Sequence, residues 1–183
     1  LTHNNRQAFA ARQPSLILTG CASCHGMLRE YPATNAPLLE AALVDIHVFL
    51  HQQGLTERLL ALPRGPQRVR VAYHDPCHLR SAGVTREPRE LLRALPQVEY
   101  VEMEDAGLCC GLGGTFTVAH PELSRTIGDR KLAGIRESGA TLVASGCPGC
   151  ILQLQDIIDR AGLPVKAVHT LELIHQALNG TPQ

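Results

Sequence analysis

Short aliphatic runs alternate with helical patterns through the chain after residue 67. The runs that predict buried strands are 69–75, 98–103, 141–144 and 164–168. The segments with apolar residues at helical spacing are 87–95, 122–139, 149–161 and 170–179. Gly139 stands where a helix C-cap is expected. Strands that alternate with helices indicate an α/β fold with a mostly parallel sheet covered by helices.

Part of this pattern occurs twice. LILTGCASCHGML (16–28) aligns with LVASGCPGCILQL (142–154), and each combines an aliphatic run, a turn of small residues, a C-x-x-C pair and a helical pattern. Further along, VDIHVFLHQ (44–52) aligns with HTLELIHQA (169–177). The repeat predicts two copies of one strand–C-x-x-C–helix–helix unit, and therefore two pseudo-repeated lobes.

The first copy lacks the strands and helices that precede the second. LPRGPQ (62–67) lies between the copies, and its proline and glycine predict a joint. We therefore expect residues 1–62 to be the C-terminal part of a truncated first lobe and residues 67–183 to be a complete second lobe. Because the chain begins with leucine instead of methionine, we expect it to be part of a longer protein.

Composition narrows the classes of function. Acidic and basic residues balance at 17 each, and no basic stripe predicts a nucleic-acid partner. The apolar runs are shorter than the roughly 20 residues that span a bilayer, so no transmembrane segment is expected. With 44% hydrophobic residues but three Phe, three Tyr and no Trp, aliphatic and small side chains must build the core.

Seven cysteines occur in clusters. An odd number cannot all pair as disulfides, and clustered cysteines in a cytosolic chain more often bind metal or perform redox chemistry. Five follow the pattern C-x31-CCG-x35-CPGC, namely Cys77, Cys109, Cys110, Cys147 and Cys150. Each follows a predicted strand, and in an open parallel sheet the loops after the strands share one edge. We therefore expect these five to converge, while Cys21 and Cys24 form a pair in the first copy.

The sequence around these cysteines favours ionised thiols. Asp75 and Pro76 predict the cap and first position of a helix at Cys77, and Pro148 predicts a helix start inside CPGC. Free N–H groups and the helix dipole lower thiol pKa values, and thiolates are the form that binds metal. The glycines of CCGLGGT permit close approach of backbone amides to sulfur. Adjacent thiolates suit two metal atoms of one multinuclear centre.

This cysteine pattern resembles the CCG cysteine-rich domain family, which includes the CCG-containing subunits of heterodisulfide reductases and the iron–sulfur subunits of glycolate oxidase and related lactate dehydrogenases. Residues 67–183 contain the whole cysteine motif of the family, whereas residues 1–62 contain only part of it. The stretch CCGLGGTF is more similar to the glycolate and lactate branch. It implies that the five cysteines hold a four-iron iron–sulfur cluster, which is non-cubane in the heterodisulfide reductase relatives. Cys21 and Cys24 are further candidate metal ligands.

The resemblance also implies a function. The chain would be the C-terminal cysteine-rich part of an oxidoreductase component, and would relay electrons from a flavin-containing subunit that oxidises a 2-hydroxy acid such as glycolate or lactate. Other iron–sulfur domains of the full-length chain and a quinone or membrane acceptor would complete the route. The implied location is the cytoplasm or the inner face of the membrane. No Ser/His/Asp or paired-carboxylate pattern predicts a hydrolytic site, and no catalytic residue is assigned.

Two other functions remain open at the level of the residues. One is disulfide reduction at the cluster, as in the heterodisulfide reductase branch. The other is a zinc-stabilised docking module, because C-x-x-C pairs are typical zinc ligands. His74 and His78 flank Cys77 and are candidates for hydrogen bonds to cluster sulfur. The remaining histidines on predicted helices or their starts are expected to be ordinary, namely His47, His51, His169 and His175.

Overall fold

The computed structural model describes residues 2–30, 42–66 and 68–179. The strands in these ranges are β1 (Leu16–Thr19), β2 (Ala42–Asp45), β3 (Val69–Tyr73), β4 (Val98–Val101), β5 (Leu142–Ser145) and β6 (Lys166–His169). The helices are α1 (Thr2–Ala10), α2 (Ala22–Glu30), α3 (Ile46–Gln52), α4 (Leu55–Leu60), α5 (Cys77–Ser81), α6 (Arg86–Ala94), α7 (Phe116–Ala119), α8 (Pro121–Ser138), α9 (Pro148–Arg160) and α10 (Thr170–Asn179). No helix in the described ranges has the length and apolar character needed to cross a bilayer.

The six described strands form two parallel sheets. β1 pairs with β2, and the other four strands lie in the order β4-β3-β5-β6. Within the described ranges β5 therefore has a neighbour on each side, whereas β1 pairs only with β2. Because all pairs are parallel, the carboxyl ends of the strands in each sheet lie along one edge.

Helices cover both faces of the four-stranded sheet. Successive side chains of a strand point to opposite faces, and in β3 Val71 and Tyr73 are buried in a core with α4, α6 and α10. Ala72, between them, belongs to a second core with α8 and α9. The expected α/β class, with a mostly parallel sheet covered by helices, is confirmed.

The secondary structure predicted after residue 67 is present, with ends displaced by no more than two residues. Gly139 follows α8 in the left-handed conformation at φ 61°, as expected of a C-cap glycine. The repeated unit contains one element more than predicted, because residues 42–45 form β2 before α3 begins at Ile46. Each copy is therefore strand, C-x-x-C, helix, strand and helix.

The prediction that Asp75 caps α5 is wrong. The helix begins at Cys77 with Pro76 as its N-cap, in extended backbone and without a side-chain cap bond. The Asp75 carboxylate instead accepts a hydrogen bond from Arg89 at 3.0 Å. The other carboxylate oxygen, Oδ1, is buried and has no hydrogen-bond partner among the described residues, so neither oxygen caps an α5 N–H group. Cys77 nevertheless lies in the first turn, as expected.

The predicted joint lies between α4 and β3. Residues 63–66 contain no helix or strand, and Gln67 lies outside the described residues. Leu55 and Leu59 of α4 are buried in the same core as Leu91 and Leu92 of α6. The segments on either side of the joint therefore pack against each other. The division into lobes at 1–62 and 67–183 stays a prediction.

Candidate metal centre

The five predicted cysteines of the second copy lie beyond the carboxyl edge of the four-stranded sheet. The chain leaves β3 toward β4 on one side and leaves β5 toward β6 on the other, so a topological switch point separates β3 from β5. Such a point opens a crevice between the loops that follow the two strands. Cys77 lies in the loop and helix after β3, Cys147 follows β5, and the vicinal pair lies in the loop after β4.

The sulfur atoms form a continuous set of interactions. The Sγ atoms of Cys110 and Cys150 lie within 4.8 Å of each other. Cys109 interacts with Cys110, and Cys147 interacts with Cys150, closely enough to shift the pKa of each partner. Cys77 lies close enough for its charge to act on Cys109. All seven cysteines are free thiols. The structure therefore brings together all five side chains that the motif singled out.

Burial divides the five into a floor and a rim. Cys110, Cys147 and Cys150 are buried, and we call these three the floor. Cys77 and Cys109 are exposed and form the rim. A metal group held by all five would contact dry protein on one side and face solvent or a partner on the other.

Because the thiols are packed closely together, the pKa is lowered for two of them and raised for two others. A hydrogen bond from Cys109, followed by one from Cys150, lowers the pKa of Cys110. The hydrogen bond from Cys150 outweighs burial and lowers the pKa of Cys147 to about 4. The pKa of Cys109 and that of Cys150 are raised, chiefly because each donates to Cys110. Neighbouring thiolates repel one another, so the metal-free set keeps protons on alternate sulfurs.

Glycines shape the loop behind the vicinal cysteines. Gly111 adopts φ +96°, and a Cβ there would lie 2.6 Å from the Ser124 carbonyl oxygen. The Gly111 N–H also donates to Cys109 Sγ at 3.3 Å. Ser124 Oγ donates to the Gly111 carbonyl at 3.0 Å, and Thr117 Oγ1 donates to the Leu112 carbonyl at 2.7 Å. Helices α7 and α8 therefore hold this loop in place, and position 111 has no room for a side chain.

His74 reaches the floor from the end of β3. Its side chain is buried, and its interaction with Cys110 helps to lower the pKa of that thiol. Ligand atoms of His74, Cys110 and Cys150 all lie within 4.8 Å of one another. His74 Nδ1 has no hydrogen-bond partner among the described residues. His78, by contrast, lies at the rim with Nδ1 3.7 Å from Cys77 Sγ.

The first C-x-x-C pair lies beside the second. Ser23 Oγ hydrogen-bonds with Cys147 Sγ at 3.3 Å, and the Ala22 N–H donates to the Gly146 carbonyl at 3.0 Å. Cys147 is also near enough to raise the pKa of Cys21, although burial is the larger cause of that shift. Cys21 is half-buried and Cys24 is exposed. The pair that the sequence placed in a separate lobe is thus continuous with the floor.

A buried polar network that the sequence did not predict lies between the two copies. His47 is fully buried, its Nδ1 donates to Asp45 Oδ1 at 2.7 Å, and its Nε2 hydrogen-bonds with Thr170 Oγ1. His169 Nε2 donates to the Gly20 carbonyl at 3.0 Å. The sequence offered one signal for this network, namely that Asp45 and His169 are the last residues of equivalent strands in the two copies. The network joins the two sheets next to the C-x-x-C turns.

The donor set fits a polynuclear thiolate-bound metal group. Soft thiolates are the ligands of iron–sulfur clusters, zinc and copper(I). Five sulfurs exceed the four ligands of a tetrahedral structural zinc site. The left-handed Gly111 lets a backbone N–H approach sulfur, and the orphaned His74 Nδ1 leaves a buried polar atom at the same place.

Comparison with known proteins finds relatives along nearly the whole chain. A fumarate reductase (CoM/CoB) subunit of Methanothermobacter marburgensis is 37% identical over 180 residues, covering 97% of this chain and 35% of that protein. The probable glycolate oxidase iron–sulfur subunit of Bacillus subtilis is 34% identical over 189 residues, covering 97% and 42%. Lactate utilization protein A of Oceanobacillus iheyensis is 31% identical over 177 residues, covering 93% and 72%.

The chain spans less than half the length of the first two relatives. Among solved structures, an aspartate racemase homologue from Pyrococcus horikoshii OT3 matches with a TM-score of 0.39 and 15% identity, covering 96% of this chain and 72% of that one. That likeness is too weak to support an inference.

The family model for the CCG cysteine-rich domain matches residues 1–29 and 71–155, more than half of the chain. The first match contains Cys21 and Cys24, and the second contains all five cysteines of the floor and rim. The chain therefore belongs to the CCG cysteine-rich domain family.

Proposed function

We propose that the floor and rim cysteines hold an iron–sulfur cluster and that the chain is an electron-transfer part of an oxidoreductase. The observation that carries this proposal is the interaction of five thiols contributed by three separate loops. The names of the relatives add support, since one is an iron–sulfur subunit and another is a reductase subunit. Such a cluster supplies a centre that accepts and releases electrons at a potential set by its surroundings.

The residues of this chain have distinct roles in the proposal. The buried floor cysteines bind the cluster and exclude water from one side of it. The Gly111 N–H and His74 donate hydrogen bonds to sulfur, and such bonds influence the potential. Cys77 and Cys109 complete the ligand set at the solvent side, where an electron partner has access. Cys21 and Cys24 are additional candidate ligands beside Cys147.

We further propose the physiological context that the family resemblance implies. The cluster is a four-iron cluster, in the non-cubane form of the heterodisulfide reductase relatives. A separate flavin subunit oxidises a 2-hydroxy acid, and electrons pass through this chain toward a quinone or membrane acceptor at the cytoplasmic side. Relatives named for glycolate oxidase and lactate utilization support this choice of substrate class.

A second candidate is reduction of a disulfide at the same centre. Two observations favour it, namely the exposed rim and the presence of Cys21 and Cys24 beside the floor. A relative from Methanosarcina barkeri that is named as a dihydromethanophenazine:CoB–CoM heterodisulfide reductase subunit, at 28% identity, adds support.

Analysis of anaerobically purified protein tests the proposal. We expect about four irons and a similar amount of acid-labile sulfide per chain, with broad visible absorbance that bleaches on reduction. Stoichiometric zinc without sulfide would instead support the docking module. Addition of a small disulfide to the reduced protein separates the two redox candidates. Stoichiometric thiol release, together with return of the oxidised spectrum, favours disulfide reduction, whereas an unchanged reduced spectrum favours electron relay.

A further inference from the structure

Lys131 of α8 is buried to an unusual degree. The residue is 1% exposed, although lysine is almost never fully buried unless it is paired. Its ammonium group donates to the Asp105 carbonyl at 2.7 Å and to the Ala106 carbonyl at 3.0 Å. Both partners are neutral backbone oxygens. In the described ranges no carboxylate lies within salt-bridge distance of Nζ.

The two carbonyls belong to the loop that leads into the vicinal cysteines. Asp105 adopts φ 54°, a left-handed conformation that a non-glycine residue occupies at a cost. The Ala106 carbonyl also accepts the Asp75 N–H at 3.0 Å, so one oxygen joins this loop to the turn before Cys77. Lys131 therefore holds the two loops that carry the rim cysteines.

Close packing seats α8 against the same loop. A Cβ on Gly134, one turn beyond Lys131, would lie 2.7 Å from the Glu104 carbonyl oxygen. A Cβ on Gly128 would lie 2.8 Å from Ile157 of α9. These two glycines allow α8 to approach its neighbours closely. The Lys131 side chain therefore lies in the interior of the protein, where water screens the charge of its ammonium group only weakly.

The charge of Lys131 lies near the cysteine floor. Helix α8 packs beside the Cys110 backbone, since a Cβ on Gly128, one turn before Lys131, would lie 3.9 Å from the Cys110 carbonyl oxygen. Burial lowers the pKa of Lys131 to about 8, and this shift is opposed first by the charge of Cys110 and then by Asp105 and Cys150. The ammonium is therefore still protonated in neutral solution. Asp75 also acts on the Lys131 pKa, as the last of these charges, but its carboxylate is paired with Arg89.

We propose that Lys131 is a positioning residue that holds the loop before the vicinal cysteines and places a buried positive charge near Cys110 and Cys150. This inference rests on the proposed cluster. A nearby cation stabilises the reduced, more negative form of a bound redox group more than the oxidised form, so it raises the reduction potential.

Three variants separate charge from tethering. Lys131→Gln removes the charge and keeps a hydrogen-bond donor, whereas Lys131→Arg keeps both. Arg80→Gln is the matched control, because Arg80 also donates to this loop, at the Gly107 carbonyl, but its side chain is exposed. Solvent screens an exposed charge, so its removal should change the potential little.

The first measurement is a redox titration of the anaerobic, iron-loaded proteins, followed by visible absorbance. For Lys131→Gln we expect at least a tenfold smaller reduction equilibrium constant, equivalent to about 59 mV more negative for one electron. Lys131→Arg and Arg80→Gln should remain near the wild-type value. A Lys131→Gln protein with full iron and the wild-type potential would overturn the proposal. Equal shifts for Lys131→Gln and Arg80→Gln would do so as well, because they would indicate a tether alone.

The second measurement does not need iron. In metal-free, reduced protein, mass spectrometry follows the alkylation of Cys110 and Cys150 by iodoacetamide at neutral pH. We expect slower alkylation of Cys150 in Lys131→Gln than in wild type and Lys131→Arg, since the pKa of Cys150 is raised and a nearby cation favours its thiolate. Cys110, whose pKa is lowered, should react alike in all three proteins and serves as the internal reference. Equal Cys150 rates in all three would overturn the charge assignment, and so would failure of both Lys131 variants to fold. Wild-type protein without iron or sulfide would refute the proposed function, while these rates would still test the charge.

Discussion

The two copies of the repeated unit share their element order but differ in surroundings. In the first copy, β1 leads through Cys21 and Cys24 into α2; in the second, β5 leads through Cys147 and Cys150 into α9. β1 has one paired neighbour in the described ranges, and its Leu16 and Leu18 are 37% and 41% exposed. β5 lies between β3 and β6, and most of its residues are buried.

This difference in surroundings changes the chemistry of equivalent thiols. Cys147 and Cys150 are buried among other sulfurs, and hydrogen bonding lowers the pKa of Cys147 to about 4. Cys21 lacks the same set of donors, and burial, as the largest cause, raises its pKa. A C-x-x-C turn at a helix start is therefore insufficient by itself to make a thiolate. The neighbouring loops determine which copy does so.

The largest expected effect comes from removing one thiol in each region. Cys110→Ser should lose most of the iron and sulfide, because Cys110 is a buried floor residue that interacts with both Cys109 of the rim and Cys150 of the floor. Cys24→Ser removes an exposed thiol of the first copy and should keep most of the metal. Iron and sulfide analysis of both anaerobic proteins provides the measurement. Full loading of Cys110→Ser would remove that thiol from the proposed ligand set.

A second test compares the ionisation of equivalent thiols, Cys147 and Cys21. With a pKa of about 4, Cys147 should remain a thiolate at neutral pH and lose its charge only as the pH falls through about 4. Cys21, whose pKa is raised, should be protonated at neutral pH. In metal-free, reduced protein, Cys147→Ser should therefore reduce the ultraviolet thiolate absorbance at neutral pH. Cys21→Ser should leave it unchanged, and equal losses would contradict the assignment.

A third test uses the glycines before the two C-x-x-C pairs. A Cβ on Gly146 would lie 2.8 Å from the buried His47 ring, so Gly146→Ala should destabilise the fold by about 2 kcal/mol. The equivalent Gly20 is less tightly packed, since among the described residues a Cβ there would contact only Leu171, at 3.5 Å. Gly20→Ala should change the free energy of unfolding by less than about 0.5 kcal/mol. Urea unfolding of the metal-free proteins measures both values, and equal losses would refute this view of the His47 network.

The smallest expected effect concerns the contact between the copies. Ser23→Ala removes the hydrogen bond to Cys147 and should lower the free energy of unfolding by about 1 kcal/mol. It should also raise the pKa of Cys147, because Ser23 is one of the groups that lower it. The thiolate titration reads this shift directly. Ser81→Ala, an exposed serine bonded to its own helix, is the control and should leave the titration in place.

The structure corrects the alignment of the two copies by one residue in their second half. The sequence paired 44–52 with 169–177, which sets Val44 against His169. In the structure, β2 ends at Asp45 and β6 ends at His169, so the equivalent positions are displaced by one residue. The shifted alignment pairs His51 with His175. Hydrophobic pattern alone did not separate these registers, because aliphatic residues fill both segments.

The amino-acid sequence determined the local structure and which cysteines come together at the site. Periodicity and turn residues depend on neighbours along the chain, so the strands and helices after residue 67 and the left-handed Gly139 were predictable. The spacing of the cysteines, together with a parallel sheet, also predicted that five thiols would meet at one edge.

Tertiary structure alone decided which polar groups became buried and what they contact. Lys131 meets the Asp105 and Ala106 carbonyls, and His47 meets Thr170 from the opposite end of the chain. Asp75 turns to Arg89 instead of capping α5. Such contacts join residues that are far apart in sequence, and their energy depends on desolvation by the whole fold. No local pattern therefore encodes them.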